Sequence, residues 1–149
     1  MDINLLETEL RRDEGVKYLP YQDNSPQKNS TVGIGHNLTA FPMPGEIYPM
    51  TDGRVSQVLT IDLTRTFAGL DACLPWWRAL DEVRQRVVAN MAFNMGVDGL
   101  LTFVNTLKAI QSGNYRGAAV GMRASQWAVE VGARAVRLAD AMQTGIMPA

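Results

Sequence analysis

Apolar residues recur at helical spacing in the first segment of the chain, where Ile3, Leu6 and Leu10 fall on one face. This period predicts an amphipathic helix. Asp2 is a suitable N-cap, and Gly15 is a suitable stop because glycine adopts the left-handed conformation that ends many helices. The sequence therefore predicts a helix from about Ile3 to the residue before Gly15.

After this helix the pattern changes to that of extended structure. Residues 16–23 are rich in aromatic and branched side chains, and Pro20 restricts them to an edge strand or an irregular strand. The next stretch, NSPQKNS, has the composition of a turn, and TVGIGHN after it predicts a second short strand. Three prolines and two glycines between residues 39 and 53 then predict a loop.

Helical periodicity returns near Thr51 and dominates the rest of the chain. A long helix is predicted from Thr51 to Cys73, and the PWW sequence after it is expected to interrupt it. Residues 81–95, DEVRQRVVANMAFNM, are apolar nearly all round, which is typical of a helix at the centre of a bundle, and Gly96 is expected to end it. Further helices are predicted from Leu100 to Gly113, from Asn114, around Trp127, and from Ala133 to Met142.

These elements predict an α+β fold that is mostly α. We expect a small β-containing N-terminal lobe, joined by the long helix to a C-terminal helical bundle. Because 149 residues fit one domain, we predict a single domain over residues 1–149. Its lobes would comprise about residues 14–60 and 61–149, with the N-terminal helix in addition.

The composition is that of an ordinary globular protein, with 46% hydrophobic and 19% charged residues. No apolar run reaches the roughly 18 residues that a bilayer span needs, and the acidic N-terminus does not resemble a secretory signal. Cys73 is the one cysteine, so no internal disulfide is expected, and we expect its side chain to be buried. Residues 76–137 are mildly basic but lack the dense basic stripe of a nucleic-acid-binding protein.

Glu14 is the first candidate for chemistry. It continues the row of Leu6 and Leu10 on a 3.6-residue period, so it leans towards the apolar side of its helix. It also lies at the helix C-terminus, where the macrodipole disfavours a negative charge. Both effects favour a protonated carboxyl, the form that donates a proton as a general acid. From spacing alone, a surface glutamate in a fraying last turn is the more common case.

Asp23 follows nine positions after Glu14, just before the predicted turn. An aspartate here commonly caps its own backbone, and the functional alternative is a carboxylate that stays ionised in a polar site. Two carboxylates in contrasting environments are what glycoside hydrolysis requires. Thr31 would then hold a water beside Asp23, although a threonine on an exposed strand is equally natural. With one histidine, His36, and one cysteine, no His/Cys metal cluster is expected.

Three segments of the chain resemble one known family. RRDEGVKYLPYQD with TVGIGHNL is similar to the catalytic stretch of the phage-type lysozymes, the endolysin family of glycoside hydrolases. RQRVVANMAFNMGVDGLLTFVNTLKAIQSGNY resembles that family's central bundle helix and its successor, and SQWAVEVGARAVRLADAMQTG resembles its C-terminal segments. The resemblance covers most of the chain, least well over residues 40–75, and it implies a lysozyme-like fold.

The resemblance implies roles for the opening stretch. Glu14 would give a proton to the glycosidic oxygen, Asp23 would be the second carboxylate, and Thr31 would help to position the attacking water. Family members of this type are understood as inverting hydrolases. His36 matches a structural histidine, for which Asp62 is our candidate partner.

Other positions match residues that bind the substrate or support the catalytic acid. Asn37, Phe93 and Thr106 match positions that contact the sugar or line its cleft. Arg134 matches an arginine that lies against the catalytic glutamate. The resemblance therefore implies three substrate-binding residues and one supporting cation.

Two departures from the family pattern affect these assignments. Seven residues separate Asp23 from Thr31, two more than is usual, and the longer loop falls in NSPQKNS. A cleft position that is often polar in relatives is Gly121 here, which would remove one sugar contact. The sequence pI of about 5.8 also predicts weaker attraction to an anionic wall polymer than a strongly basic lysozyme would have.

The resemblance implies a muramidase that cuts the β-1,4 bond between N-acetylmuramic acid and N-acetylglucosamine in bacterial peptidoglycan, without a cofactor. As an endolysin it would be a monomer, stay in the host cytoplasm until lysis, and reach the wall with a membrane-permeabilising partner, a holin. One alternative is a lytic transglycosylase, which uses a single acid/base glutamate and forms an anhydro-sugar. Another is a non-catalytic wall-binding module, which the combination of Glu14, Asp23, Thr31 and Arg134 disfavours. No nucleic-acid partner is expected.

Overall fold

A computed structural model describes the whole chain, Met1–Ala149, as seven α-helices and one three-stranded sheet. This architecture confirms the predicted α+β, mostly α class and the lysozyme-like fold. A short 3-10 helix, Trp77–Ala79, begins at the last residue of the PWW sequence. The helices are α1 (Ile3–Glu14), α2 (Asp52–Cys73), α3 (Glu82–Leu101), α4 (Val104–Gln111), α5 (Tyr115–Arg123), α6 (Gln126–Val131) and α7 (Ala133–Thr144), and the strands are β1 (Lys17–Gln22), β2 (Ser30–Gly33) and β3 (His36–Asn37).

Contacts within the chain divide it into two compact units. The N-terminal unit is Ile3–Arg65, and the C-terminal unit is Thr66–Ala149 together with Met1–Asp2. The boundary falls inside α2, a few residues after the predicted position near residue 60, and α1 belongs to the N-terminal unit. The single domain over residues 1–149 stays a prediction.

Helix α1 forms where the first hydrophobic period predicts it. Leu6 and Leu10 are fully buried, as expected for the apolar face of an amphipathic helix. Gly15 ends the helix with a φ of +73°, and its N–H donates to the carbonyl oxygen of Arg11 at 3.0 Å. Glu14 is therefore the last helical residue, held one position before a fixed turn.

The sheet has the order β1-β2-β3, with both neighbouring pairs antiparallel. Strand β1 lies at the edge of the sheet. Its pairing with β2 is irregular between Lys17 and Tyr21, the interval that includes Pro20. This confirms the predicted edge or irregular strand. Because proline has no N–H to donate, an edge position with an interrupted ladder is where it is tolerated.

The prediction of one strand over TVGIGHN is wrong. The segment forms two strands, β2 and β3, which turn back on each other and pair Thr31 with Asn37 and Val32 with His36. Gly33 and Gly35 have φ values of +67° and +65°, and this left-handed conformation reverses the chain. The prediction of β structure in this segment is confirmed, but the two glycines divide it into a hairpin of two strands.

Helix α2 confirms the predicted long helix, and hydrogen bonds tie its start to the rest of the N-terminal unit. Asp52 accepts from the Tyr18 hydroxyl at 2.7 Å and from the Arg11 guanidinium at 3.4 Å. The backbone N–H of Met50 also donates to the carbonyl oxygen of Tyr18, at 2.9 Å. The expected burial of Cys73 is wrong: its side chain is exposed, because it falls off the buried stripe of α2 at the helix end.

Helix α3 has an unbroken run of buried residues from Arg86 to Ala92, which confirms the buried helix that the sequence predicts. Val87, Val88 and Met91 are fully buried. Gly96 has a φ of +78° and a ψ of +156°, so the regular helix breaks there as predicted, but helical structure resumes and continues to Leu101. Consequently α4 begins at Val104, not at Leu100 as the hydrophobic period predicts.

The last three helices confirm the predicted segments, and the apolar residues Ala135, Leu138, Ala139 and Met142 of α7 are buried. Asn114 and Ser125 cap α5 and α6 by accepting from the N–H groups of Gly117 and Ala128. No helix by itself has the length and apolar content that a membrane span needs. Helices α3 and α4 together meet this requirement by length and composition only, and the chain bends by 110° between them.

Candidate active site

Glu14 is partly buried, which confirms the prediction that its side chain leans towards the apolar side of α1. Its carboxylate lies against the turn between β2 and β3. A Cβ atom placed on Gly35 would lie 3.1 Å from Oε2 of Glu14 and 3.3 Å from Cδ. Gly35 therefore does two things: its positive φ makes the turn, and its missing side chain leaves room for the carboxylate.

Asp23 lies at the end of β1, and three donors contact a single oxygen of its carboxylate. Oδ1 accepts from the Ser25 hydroxyl at 2.5 Å, from the Ser25 N–H at 3.0 Å and from the Asn29 N–H at 3.0 Å. The Ser25 hydroxyl is the main cause that lowers the pKa of Asp23 below its ordinary value, and the two N–H groups add to it against the effect of burial. Asp23 thus caps its own loop, and the lowered pKa favours its ionised form; its role in the reaction stays a prediction.

The longer loop before Thr31 is absorbed without loss of register. The N–H of Asp23 donates to the carbonyl oxygen of Asn29 at 2.9 Å, which closes the loop at residues 24–28. Tyr21 then pairs directly with Thr31. Because directly paired residues lie on the same face of a sheet, Thr31 shares the face of Tyr21, two residues before Asp23. Thr31 is buried, and its hydroxyl donates to the carbonyl oxygen of Asn29 at 3.3 Å.

Tyr21 is a site residue that the sequence reasoning missed. Burial raises the pKa of the Tyr21 phenol, and the negative charges of Glu14 and Asp23 raise it further. The phenol is therefore within electrostatic reach of both carboxylates. Its position two residues before Asp23 on a predicted strand was the available signal, since residues i and i+2 share a face.

His36 is buried and forms the predicted pair with Asp62, which confirms that partner. Its Nδ1 lies 2.7 Å from Oδ2 of Asp62, and its Nε2 lies 2.9 Å from the carbonyl oxygen of Phe41. The hydrogen bond to Asp62 raises the pKa of His36, against the opposing effect of burial, and the Phe41 carbonyl adds to the rise. Arg65 donates to the other oxygen of Asp62 and lies 3.5 Å from the centre of the Phe41 ring. These contacts make His36 a structural residue of this unit.

The buried pair of His36 and Asp62 predicts that the free energy of unfolding depends on pH. Because the pKa of His36 is raised in the folded state, the stabilisation that its pair with Asp62 gives is complete below the unfolded pKa of about 6.5. This stabilisation is lost as the pH rises through the folded pKa. We expect Asp62→Asn to destabilise the protein by about 3 kcal/mol at pH 6, and by less at pH 9. Urea denaturation at pH 6, 7.5 and 9 measures this difference. Asp140→Asn, which breaks an exposed pair with Arg123, is the matched control and should show a small, constant effect; a constant loss for Asp62→Asn would contradict the prediction.

Asn37 belongs to β3 and is half-buried. Its Oδ1 accepts from the N–H of Ala40 at 3.0 Å, so this oxygen caps the turn that follows. Its predicted contact with substrate stays a prediction.

The remaining predicted residues lie in the C-terminal unit. Phe93 is half-buried on α3, and Thr106 is buried on α4. A Cβ atom placed on Gly121 would lie 2.5 Å from the Thr106 hydroxyl oxygen, so Thr106 occupies the space that a polar side chain at position 121 would need. Arg134 is buried on α7, where its Nε and one terminal nitrogen donate to Oδ1 of Asn90 at 3.0 and 2.8 Å. Its predicted contact with the catalytic glutamate stays a prediction.

A shallow surface groove of the C-terminal unit runs beside Trp127 and Phe103, and it contains none of the predicted site residues. The Trp127 indole donates to Asn94 at 2.7 Å, and the Phe103 ring meets it edge-on. Trp127 is thus mainly a packing residue, as expected. No group of three or more His, Cys, Asp and Glu side chains in the molecule is arranged to hold a metal ion.

The family model described as phage lysozyme matches residues 11–140, and the chain belongs to that family.

Three relatives extend this finding. The pre-baseplate central spike protein Gp5 of Enterobacteria phage T4 is 29% identical over 91% of the chain, which spans only 27% of that protein's length. Probable T4-type lysozyme 1 of Dictyostelium discoideum is 28% identical over 94% of both chains. Probable T4-type lysozyme 2 of the same organism is 23% identical over 97% of both. The similarity to the two lysozymes covers nearly the whole of each chain.

Proposed function

We propose that the protein is a muramidase that hydrolyses the β-1,4 bond between N-acetylmuramic acid and N-acetylglucosamine in bacterial peptidoglycan. The observation that carries this proposal is the match of residues 11–140 to the phage lysozyme family, in which the resemblance gives Glu14 and Asp23 the positions of the two carboxylates. Their surroundings differ, since Glu14 lies against a glycine turn and Asp23 accepts three hydrogen bonds. Contrasting environments for two carboxyl groups are the requirement for acid and base roles in glycoside hydrolysis.

In this mechanism Glu14 gives its proton to the glycosidic oxygen as the bond from that oxygen to C1 breaks. A water attacks C1 from the opposite face of the sugar, and its proton passes to the Asp23 carboxylate. Thr31, which pairs with Tyr21 two residues before Asp23, orients that water. Water attack in a single displacement inverts the configuration at C1, and the reaction uses no cofactor.

The glycan contacts follow from the family resemblance. We propose Asn37 in the N-terminal unit and Phe93 and Thr106 in the C-terminal unit as residues that contact the sugar chain. Thr106 supplies a hydroxyl beside Gly121, where relatives often have a polar side chain. The names of the two Dictyostelium relatives support peptidoglycan as the substrate class.

The biological setting that we propose is host lysis. The protein would accumulate as a folded monomer in the host cytoplasm and act on the wall after a holin has permeabilised the membrane. Lysis of cells that produce the protein with and without a co-produced holin tests this setting separately from the chemistry.

The chemistry is tested by digesting purified Gram-negative peptidoglycan and analysing the products. We expect new reducing ends on N-acetylmuramic acid, incorporation of ¹⁸O from labelled water, and α-configured product immediately after cleavage. Products that end in anhydro-muramic acid and carry no label would identify a transglycosylase instead. Binding to peptidoglycan without any cleavage by the folded protein would identify a non-catalytic wall-binding module.

A further inference from the structure

The hydrogen bonds of the Asp23 carboxylate are distributed unequally between its two oxygens. Three donors contact Oδ1: the Ser25 hydroxyl at 2.5 Å and the N–H groups of Ser25 and Asn29, each at 3.0 Å. The Asn29 side chain also hydrogen-bonds to the carboxylate and is the smallest of the causes that lower its pKa. A carboxylate oxygen has two lone pairs, so three donors occupy its accepting capacity fully. A proton that arrives at Asp23 is then received by Oδ2.

We propose that Ser25 is a positioning residue of the active site, which holds Oδ1 of Asp23 and so presents Oδ2 as the oxygen that takes the proton from the attacking water. This inference rests on the proposed function, because it assigns an atom to the base of that reaction. Ser25 itself acts through Asp23 and touches neither the sugar nor the water.

Ser25 lies in the loop that is longer than usual for the family, so this contact belongs to the part of the site that distinguishes the chain. The loop is held by backbone bonds that do not use the Ser25 hydroxyl. The carbonyl oxygen of Ser25 accepts from the N–H of Lys28 at 3.0 Å, and the N–H of Asp23 donates to Asn29. Removing the hydroxyl therefore deletes one bond to Oδ1 and leaves the loop closed.

The chemical consequence is a carboxylate that stays ionised at lower pH. A hydrogen bond from a neutral donor to an ionised acceptor favours the charged form. The Ser25 hydroxyl is the largest of the contacts that lower the pKa of Asp23. A base of this reaction must be ionised before water attack, so Ser25 extends activity towards acidic pH.

The test compares Ser25→Ala with Ser25→Thr, which keeps a hydroxyl, and with Asn24→Ala, an exposed neighbour in the same loop. For Ser25→Ala we expect kcat to fall about tenfold with little change in KM, and the acidic limb of the kcat/KM profile to move to higher pH. Ser25→Thr should restore most of both, and Asn24→Ala should match the unsubstituted protein.

A second readout needs no activity: the ¹³C signal of the Asp23 carboxyl, followed by NMR as the pH is lowered. We expect its titration to move to higher pH in Ser25→Ala alone. If this shift appears while the unsubstituted protein cleaves no peptidoglycan, the contact is real and the proposed function fails, together with the positioning role given to Ser25. If the unsubstituted protein is active and Ser25→Ala changes neither the titration nor the pH profile, the positioning role is overturned.

Discussion

Glu14→Gln is expected to lower kcat/KM for peptidoglycan hydrolysis by about 10²- to 10⁴-fold, the range that a general acid contributes. The glutamine keeps the shape of the side chain and its place against Gly35 but has no proton to give to the glycosidic oxygen. Clearing of outer-membrane-permeabilised Gram-negative cells and release of reducing ends from purified peptidoglycan both measure the loss. Because the substitution is nearly isosteric, the folded state should be retained, as far-UV circular dichroism and the urea midpoint can verify.

The matched control is Glu130→Gln, which makes the same chemical change at an exposed glutamate of α6. We expect this variant to clear cells at the rate of the unsubstituted protein. Equal activity of all three proteins would show that Glu14 is not the acid and would return it to the class of surface glutamates in a last helical turn. Asp23→Asn offers an independent check, because the loss of the base should leave binding to peptidoglycan intact.

The N-terminal unit shows how far hydrophobic periodicity predicts a fold. It places α1 and α2 well, because burial of one helix face determines both where the apolar residues stand and where the helix forms. It fails at TVGIGHN, since a strand and a tight hairpin have the same alternation of side chains. The difference lies in the positive φ of Gly33 and Gly35, and a glycine in a sequence permits that conformation without requiring it.

The predicted start of α4 is wrong for a related reason. Leu100 fits the apolar period of the following helix, but it is fully buried as part of α3. The two helices meet at residues 102–103, with Thr102 as the C-cap of α3 and Phe103 as the N-cap of α4. A period identifies a buried face, and it does not identify the helix to which a buried residue at the junction belongs.

Spacing along the chain singled out Glu14 and Asp23 as candidates, but their catalytic roles come from the family resemblance and stay predictions. The pairing of His36 with Asp62 is confirmed. Ser25 was not found, since its contact with Asp23 depends on how the loop closes through Asn29. Sequence analysis recognised that this loop is longer, but only the three-dimensional path of the loop shows which hydroxyl reaches the carboxylate.

Trp77→Ala is expected to be the most destabilising single substitution that we consider, with a loss of about 3–5 kcal/mol in the free energy of unfolding. The Trp77 side chain is fully buried in the C-terminal unit and stacks on Phe67 at a ring separation of 5.7 Å. Its indole N–H donates to Asp71 at 2.8 Å, and the Arg78 guanidinium lies 4.7 Å from the ring centre. Alanine removes the apolar area, leaves a cavity and deletes the hydrogen bond at once.

The control is the same substitution at the neighbouring residue, Trp76, whose side chain is half-buried. Trp76→Ala should cost about 1 kcal/mol, and Trp77→Phe, which keeps an aromatic ring but not the N–H, should fall between the two. Urea denaturation followed by far-UV circular dichroism avoids the change in fluorescence that a lost tryptophan causes. If the two alanine variants are equally stable, packing around Trp77 does not account for the stability of this unit. If Trp77→Phe matches Trp77→Ala, the bond to Asp71 contributes more than the buried ring, since the phenylalanine retains most of the apolar contact.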